Sequence, residues 1–266
     1  MMFPPALYLH GLPGSFASEM QIAFGADKKP DFIKGLDRLA ALDSEHEYDA
    51  AILKAFDESI GGSLVRGSVR IVAFSLGAMP ALRIAAFRKD WIASLDLIAP
   101  AAPLQLGDFL GDMTGKPVFE AAQSRRVWLD LLTHLQSAGL KVAPGLIASR
   151  LFANAPDEER RLMSKPSLRT AFISGAKHTL IKHSRAYRAE LRAYVSDWTS
   201  TLPEVTAPIR IWQGADDTWT HPDMARAPSV AVGGACEITY LDGLSHYGAL
   251  VHSLPRICGD ESICAL

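Results

Sequence analysis

Five short apolar runs constrain most strongly what this chain can fold into: "ALYLH" (6–10), "RIVAF" (70–74), "SLDLIA" (94–99), "IRIWQ" (209–213) and "EITYL" (237–241). Several are aliphatic at consecutive positions, the pattern of strands buried on both faces. Segments of helical period separate them, and that alternation demands an α/β architecture with a mostly parallel sheet. A weaker run, "DFIK" (31–34), brings the expected sheet to about six strands. Between the runs, "EYDAAILKAFDESI" (47–60) puts Ala51, Leu53, Ala55 and Phe56 partly on one face and stops at Gly61-Gly62. Residues after Ser75 read as helix to about Arg88. The stretch 184–198 sets Tyr187, Leu191, Tyr194, Val195 and Trp198 at spacings of three and four.

One connection is too long. A parallel crossover needs about a dozen residues, yet roughly Pro103 to Lys182 lies in excess between the 94–99 and 209–213 runs. That excess holds helical stretches at 120–138 and 156–164 and turn signals at Gly111, Gly115, Pro144 and Pro166. The expected division is a core of 1–102 and 183–266 with a helical insertion, 103–182, lying over one edge. A separately folded domain is the alternative.

With 266 residues, 48% of them hydrophobic, the chain can bury one sizeable core. Its 27 basic and 29 acidic side chains leave a net charge of -2 with no basic run, which gives nucleic acid no electrostatic footprint. The longest apolar stretch, around 71–82, is too short for a bilayer, which takes about 20 residues. "MMFPPALYLHG" lacks the basic start of a signal peptide. Cys236, Cys258 and Cys264 are too few, and odd in number, for a disulfide framework. A cytoplasmic protein acting on a small molecule is the expectation.

"IVAFSLGAMPA" (71–81) places Ser75 at a strand-to-helix join, with small residues Ala73 and Gly77 two positions either side. Small neighbours suit a sharp turn in which strand and helix approach closely, and the turn brings a hydroxyl to a helix N-terminus that favours negative charge. Taken alone, the same serine reads equally as a helix N-cap. A hydroxyl nucleophile needs a base and a group to orient it. His246, in "LDGLSHYGAL", follows the last strand on a glycine-bracketed loop at the sheet edge expected to carry Ser75. His252 falls on the helix beyond, and the spacing of His178 and His183 suits no common metal pattern. For the orienting acid, "IRIWQGADDTWTHPDMA" offers Asp217, which Gly-x-x-Asp can aim back after a turn, with Asp216 left to cap or face water. As part of an exposed turn, neither would be unusual. "LYLHGLPGS" (7–15) can present the Leu12 amide beside that of Leu76 as an oxyanion hole, with His10 fixing the loop. As a plain turn it would be unremarkable.

The order Leu12, Ser75, Asp217, His246, each in its strand context, resembles the α/β-hydrolase family over nearly the whole chain. "HGLPGS", "AFSLGAM", "APIRIWQGADD" and "LDGLSHYG" carry the likeness. The resemblance implies a Ser-His-Asp triad and no cofactor, and makes 103–182 the variable cap; the histidine spacing above gives no expectation of a metal. Against the family pattern, Ala73 and Ala78 stand where glycines are frequent, and Pro80 requires a tight first helical turn. The chain begins at what would be the family's third strand, and little follows His246. A core so trimmed favours a partner over an edge strand, and a homo-oligomer is one such arrangement. The leading functional expectation is a serine hydrolase that opens an ester or thioester of a small, apolar acyl substrate through an acyl-enzyme on Ser75. Carbon–carbon cleavage or elimination on the same triad, and a ligand-binding or sensing module without turnover, are the alternatives. Phe109, Met113, Phe119, Trp128, Phe152 and Met163 supply apolar surface for a pocket or for packing, and Trp219 is expected to border the pocket.

Overall fold

In the computed structural model, which describes residues 6–25, 33–45, 47–60 and 66–259, the first half of the chain alternates strand and helix. Strand β1 (Ala6–Leu9) leads to α1 (Phe16–Phe24), β2 (Ile33–Gly35), α2 (Arg38–Ser44) and α3 (Tyr48–Ile60). Then come β3 (Val69–Phe74), α4 (Ala78–Phe87) and β4 (Ile92–Ile98). Between β4 and β5 lie α5 (Lys116–Gln123), α6 (Arg126–Val142), α7 (Pro144–Leu151), α8 (Asp157–Ser164), α9 (Pro166–Lys177) and α10 (Ser184–Val195). The chain returns through β5 (Ile209–Gly214), α11 (Asp223–Ser229), β6 (Cys236–Leu241) and α12 (His246–Ile257).

The six strands form one sheet in the order β2-β1-β3-β4-β5-β6, every neighbouring pair parallel. Strand order reverses between β1 and β3, where the chain winds first one way and then the other. Such a reversal opens a crevice beyond the carboxyl ends of the strands. Leu9 pairs with Ala73 there, so the loops after β1 and β3 leave the sheet side by side. Layers of helix bury both faces, as the nearly unbroken burial of β1 and β3 shows.

Asp96 crosses the middle of the sheet fully buried, yet satisfied. The Arg210 guanidinium grips it with two contacts, 2.8 Å to Oδ1 and 2.9 Å to Oδ2, and Arg70 adds one at 3.3 Å. Trp212 Nε1 donates to it at 3.4 Å.

Several boundaries differ from the sequence reading for local reasons. Ser75–Gly77 forms a 3-10 turn, and α4 begins only at Ala78. Pro80 therefore falls in the first turn of α4, where a missing N–H breaks no intrahelical bond. The 120–138 stretch is two helices, because Arg125 takes an extended conformation (φ -63, ψ 143) between α5 and α6. The helix expected over 184–198 stops at Val195, and Trp198 folds back so that its Nε1 donates to the Tyr194 carbonyl at 3.2 Å. Within 31–34, residues 31 and 32 lie outside the described residues, and Ile33–Gly35 is strand. Cys264 likewise lies outside them, while Cys236 is a free thiol and Cys258 is buried. Among the described residues no helix is long and apolar enough to cross a membrane.

Candidate active site

Phe74 ends β3 in an extended conformation, and Ser75 then turns to φ 55. A positive φ on a residue with a Cβ costs on the order of 1–3 kcal/mol and persists only where the surroundings impose it. Here they do. Gly77 lies so close to the end of β1 that a methyl on it would come within 2.3 Å of the Leu9 carbonyl oxygen. The Ser75 carbonyl also accepts a hydrogen bond from Ala101 N–H at 3.1 Å. Among the described residues, the other non-glycine residue at positive φ is Ala99, φ 44, just past the neighbouring strand β4. Backbone strain is thus concentrated at one edge of two adjacent strands.

Asp217 and His246 meet on the same edge. His246 Nδ1 lies 2.8 Å from Asp217 Oδ2, and both side chains are sealed from solvent. Asp217 Oδ1 accepts the backbone N–H groups of Trp219 (2.7 Å) and Thr220 (2.9 Å), which fixes the carboxylate plane. Its Oδ2 receives Gln213 Nε2 at 3.3 Å. Thr220 Oγ1 sits 2.9 Å from that oxygen, 3.0 Å from the Ala99 carbonyl and 3.3 Å from His246 Nδ1. The carboxylate thereby makes Nδ1 the protonated nitrogen and leaves Nε2 free to accept a proton. Trp219 stacks on the imidazole at 5.6 Å and 16°, and Phe74 meets it at 4.6 Å. Asp216 is exposed; its backbone N–H is held by Leu244 O at 3.0 Å. The hydrogen-bond partners of His246 in this structure are Asp217 and Thr220, with no hydrogen bond between its ring and Ser75 Oγ.

The loop after β1 abuts the serine. A methyl on Gly11 would stand 3.0 Å from Ser75 Cβ. Glu19, buried on α1, holds this loop: Gly11 N–H donates to its Oε1 at 2.9 Å and the Tyr8 hydroxyl to its Oε2 at 2.7 Å. Burial pushes Glu19 up to about 8, against the lowering effect of those two donors. Thr179 Oγ1 bridges Gly14 from the opposite side, donating to its carbonyl at 2.6 Å and accepting its N–H at 3.1 Å. His10 donates Nδ1–H to the Gly11 carbonyl at 2.7 Å, and burial, then nearby Arg38, holds it well below the usual imidazole range. It is a neutral fixture of the loop. The backbone N–H groups of Leu12 and Leu76 donate to no protein acceptor among the described residues.

Leu12, Ser75, Leu76, Trp219 and Thr220 share the wall of one cavity of about 140 Å³. Helices α6, α7, α9 and α10 close it with Leu140, Leu151, Phe172 and Leu191. Of the six apolar residues singled out in the insertion, Met113 and Phe119 line this cavity. Phe152 packs on Trp219, Phe172 and Tyr247, and with Met163 lines a separate groove. Phe109 is buried in the core, and Trp128 is 56% exposed, because α6 turns Gln136 and Leu140 rather than Trp128 toward the cavity. Among the described residues no three His, Cys, Asp or Glu side chains converge as metal ligands. His183 instead binds Asp43 Oδ2 at 2.6 Å.

No protein-family model and no curated protein matches the sequence. Solved structures do match. One is an α/β-hydrolase fold protein from Nakamurella multipartita, at a TM-score of 0.56 and 16% identity, with 98% of this chain and 93% of that chain covered. A thermophilic esterase from Thermogutta terrifontis matches at 0.58 and 16%, over 96% and 87%. A bromoperoxidase from Bacillus anthracis matches at 0.60 and 13%, over 98% and 91%. This chain has the α/β-hydrolase fold. At such identities the likeness carries the fold alone, so function must be argued from the site.

The α/β-hydrolase fold explains where the site lies but not how it is held. Thr220, Glu19 and the Glu158–Glu159 pair of α8 all reach it, and none stood out in the sequence. Thr220 had a usable signal, its place three residues after Asp217 in an Asp-x-x-Thr turn. Glu19 had a fainter one, one position after Ser18 in the Ser15–Ser18 capping box that starts α1.

Proposed function

We propose that the protein is a serine hydrolase that cleaves an ester or thioester of a small apolar acyl group through an acyl-enzyme on Ser75. The observation that carries this reading is the sealed Asp217–His246 pair, in ring contact with Phe74 and so one residue from the strained serine. In this reading Ser75 Oγ attacks the acyl carbonyl as His246 Nε2 takes its proton. Asp217 stabilises the imidazolium, and the unengaged N–H groups of Leu12 and Leu76 receive the oxyanion. His246 then protonates the departing alcohol or thiol, and water, deprotonated by the same nitrogen, releases the acid. Insertion 103–182 acts as the cap over this chemistry, and Trp219 borders the acyl group.

Cavity size narrows the substrate. About 150 Å³ of apolar space accommodates a benzene-sized molecule, so a cavity of about 140 Å³ favours a short or compact acyl group. The test is a series of p-nitrophenyl esters of graded chain length beside acyl-CoA thioesters. Rates should peak at short acyl chains and vanish in Ser75→Ala. A folded Ser75→Ala protein as fast as wild type overturns the proposal.

A further inference from the structure

His246 opens α12, and the first turn of a helix carries N–H groups with no acceptor one turn back. Its N-cap residue, Ser245, makes no side-chain capping bond to that turn. Acceptors arrive instead from α8. Glu158 Oε2 accepts the Ser245 N–H at 3.2 Å and the Ser245 hydroxyl at 2.8 Å. Glu159 Oε1 accepts the Tyr247 N–H at 3.1 Å. The two carboxylates therefore grip the residues immediately before and after His246.

Neither contact is a surface coincidence. Glu159 is 0% exposed and its Oε2 has no partner, so the chain buries a carboxyl group that a simple packing contact would replace with carbon. Burial pushes it up to about 7 while the nearby His246 pulls it down. Gly248 vacates the space that Glu158 occupies, since a methyl there would stand 2.7 and 2.8 Å from the two carboxylate oxygens. An anionic or acceptor group at a helix N-terminus is favourable in itself; here a helix distant in sequence supplies two of them to the turn that carries the base.

We propose that Glu158 and Glu159 are positioning residues that set the His246 ring against Asp217, so that docking α8 on α12 completes the base. The inference rests on the serine-hydrolase reading above and adds a role for the insertion within it. Its test counts active enzyme by titrating Ser75 with a fluorophosphonate, so that misfolded protein does not enter kcat. On p-nitrophenyl acetate, Glu159→Ala and Glu158→Ala should each lose roughly tenfold or more in kcat with KM little changed, the scale of a misplaced catalytic group. Glu159→Gln and Glu158→Gln, which keep an acceptor oxygen, should recover most of that loss. Gly248→Ala should hold or raise Tm through better helix propensity and still lower kcat by displacing Glu158. The His246 ring resonances supply a readout without turnover: they should move in the alanine variants and stay in the glutamine variants. Should wild type neither label nor turn over while those resonances move as described, the serine-hydrolase reading falls and the positioning role stands. Alanine variants with wild-type kcat per titrated serine and unmoved His246 resonances overturn the inference.

Discussion

Asp96 and Asp217 are both buried carboxylates of the same α/β core, one inside β4 and the other just past β5, but their partners differ in kind. Asp96 is held by two guanidiniums, Arg70 and Arg210, which stay charged at any pH the protein survives. Asp217 is held by backbone amides, an amide side chain and a hydroxyl, with a single ionisable partner, His246. No lysine or arginine pairs with Asp217 among the described residues. A carboxylate balanced by permanent cations has nothing left to respond to. One balanced by neutral dipoles can stabilise a positive charge that appears on its neighbour during a reaction.

Exchanging Asp217 for Asn should break the comparison most severely. The amide donates to Nδ1, reverses the tautomer and should lower kcat/KM by about 10⁴-fold, with Tm nearly unchanged because the neutral donors adapt. Steady-state kinetics beside a thermal melt checks both halves. Asp96→Asn should do the reverse. Stranding two arginines should remove about 3 kcal/mol of stability, the low end for a broken buried pair because Arg210 is half exposed. Its kcat per titrated serine should stay at the wild-type value; a loss there would tie Asp96 to the chemistry.

Smaller effects sharpen the same contrast. Glu19 has a folded-state value of about 8 against an ordinary 4.5. The folded protein thus keeps a proton that the unfolded chain releases, and its stability should fall as pH rises from about 4.5 towards 8. Glu19→Gln should flatten that slope in denaturant titrations run across the range. Least in size, Ser75→Gly should relieve the positive φ and stabilise the fold by about 1 kcal/mol relative to Ser75→Ala, though both are inactive. Equal midpoints for the two would mean that the elbow holds no strain.

The sheet was legible because strands buried on both faces leave unbroken runs such as "RIVAF" and "IRIWQ", and few other structures do so in five residues. The elements that position Ser75, Asp217 and His246 followed from those runs. The insertion was less legible. Three of its helices, α5, α7 and α8, are only eight residues long, and the break at Ser124-Arg125 carries no glycine or proline to mark it. "PDEERRLMS" (156–164) reads as a helical stretch, and nothing in it shows that folding drives Glu159 completely inside. Nothing local distinguishes a glutamate that faces water from one that grips a turn 87 residues away. Likewise Glu19 gains its meaning only when β1, α1 and the loop between them close on one another.

One measurement reaches the central claim without knowing the substrate. Treat the protein with a fluorophosphonate, digest it and locate the adduct by mass spectrometry, then repeat with His246→Ala. The account predicts a single adduct on the Ser75 peptide, formed far more slowly when the imidazole is absent. An unlabelled Ser75, or one labelled equally fast without His246, would contradict it.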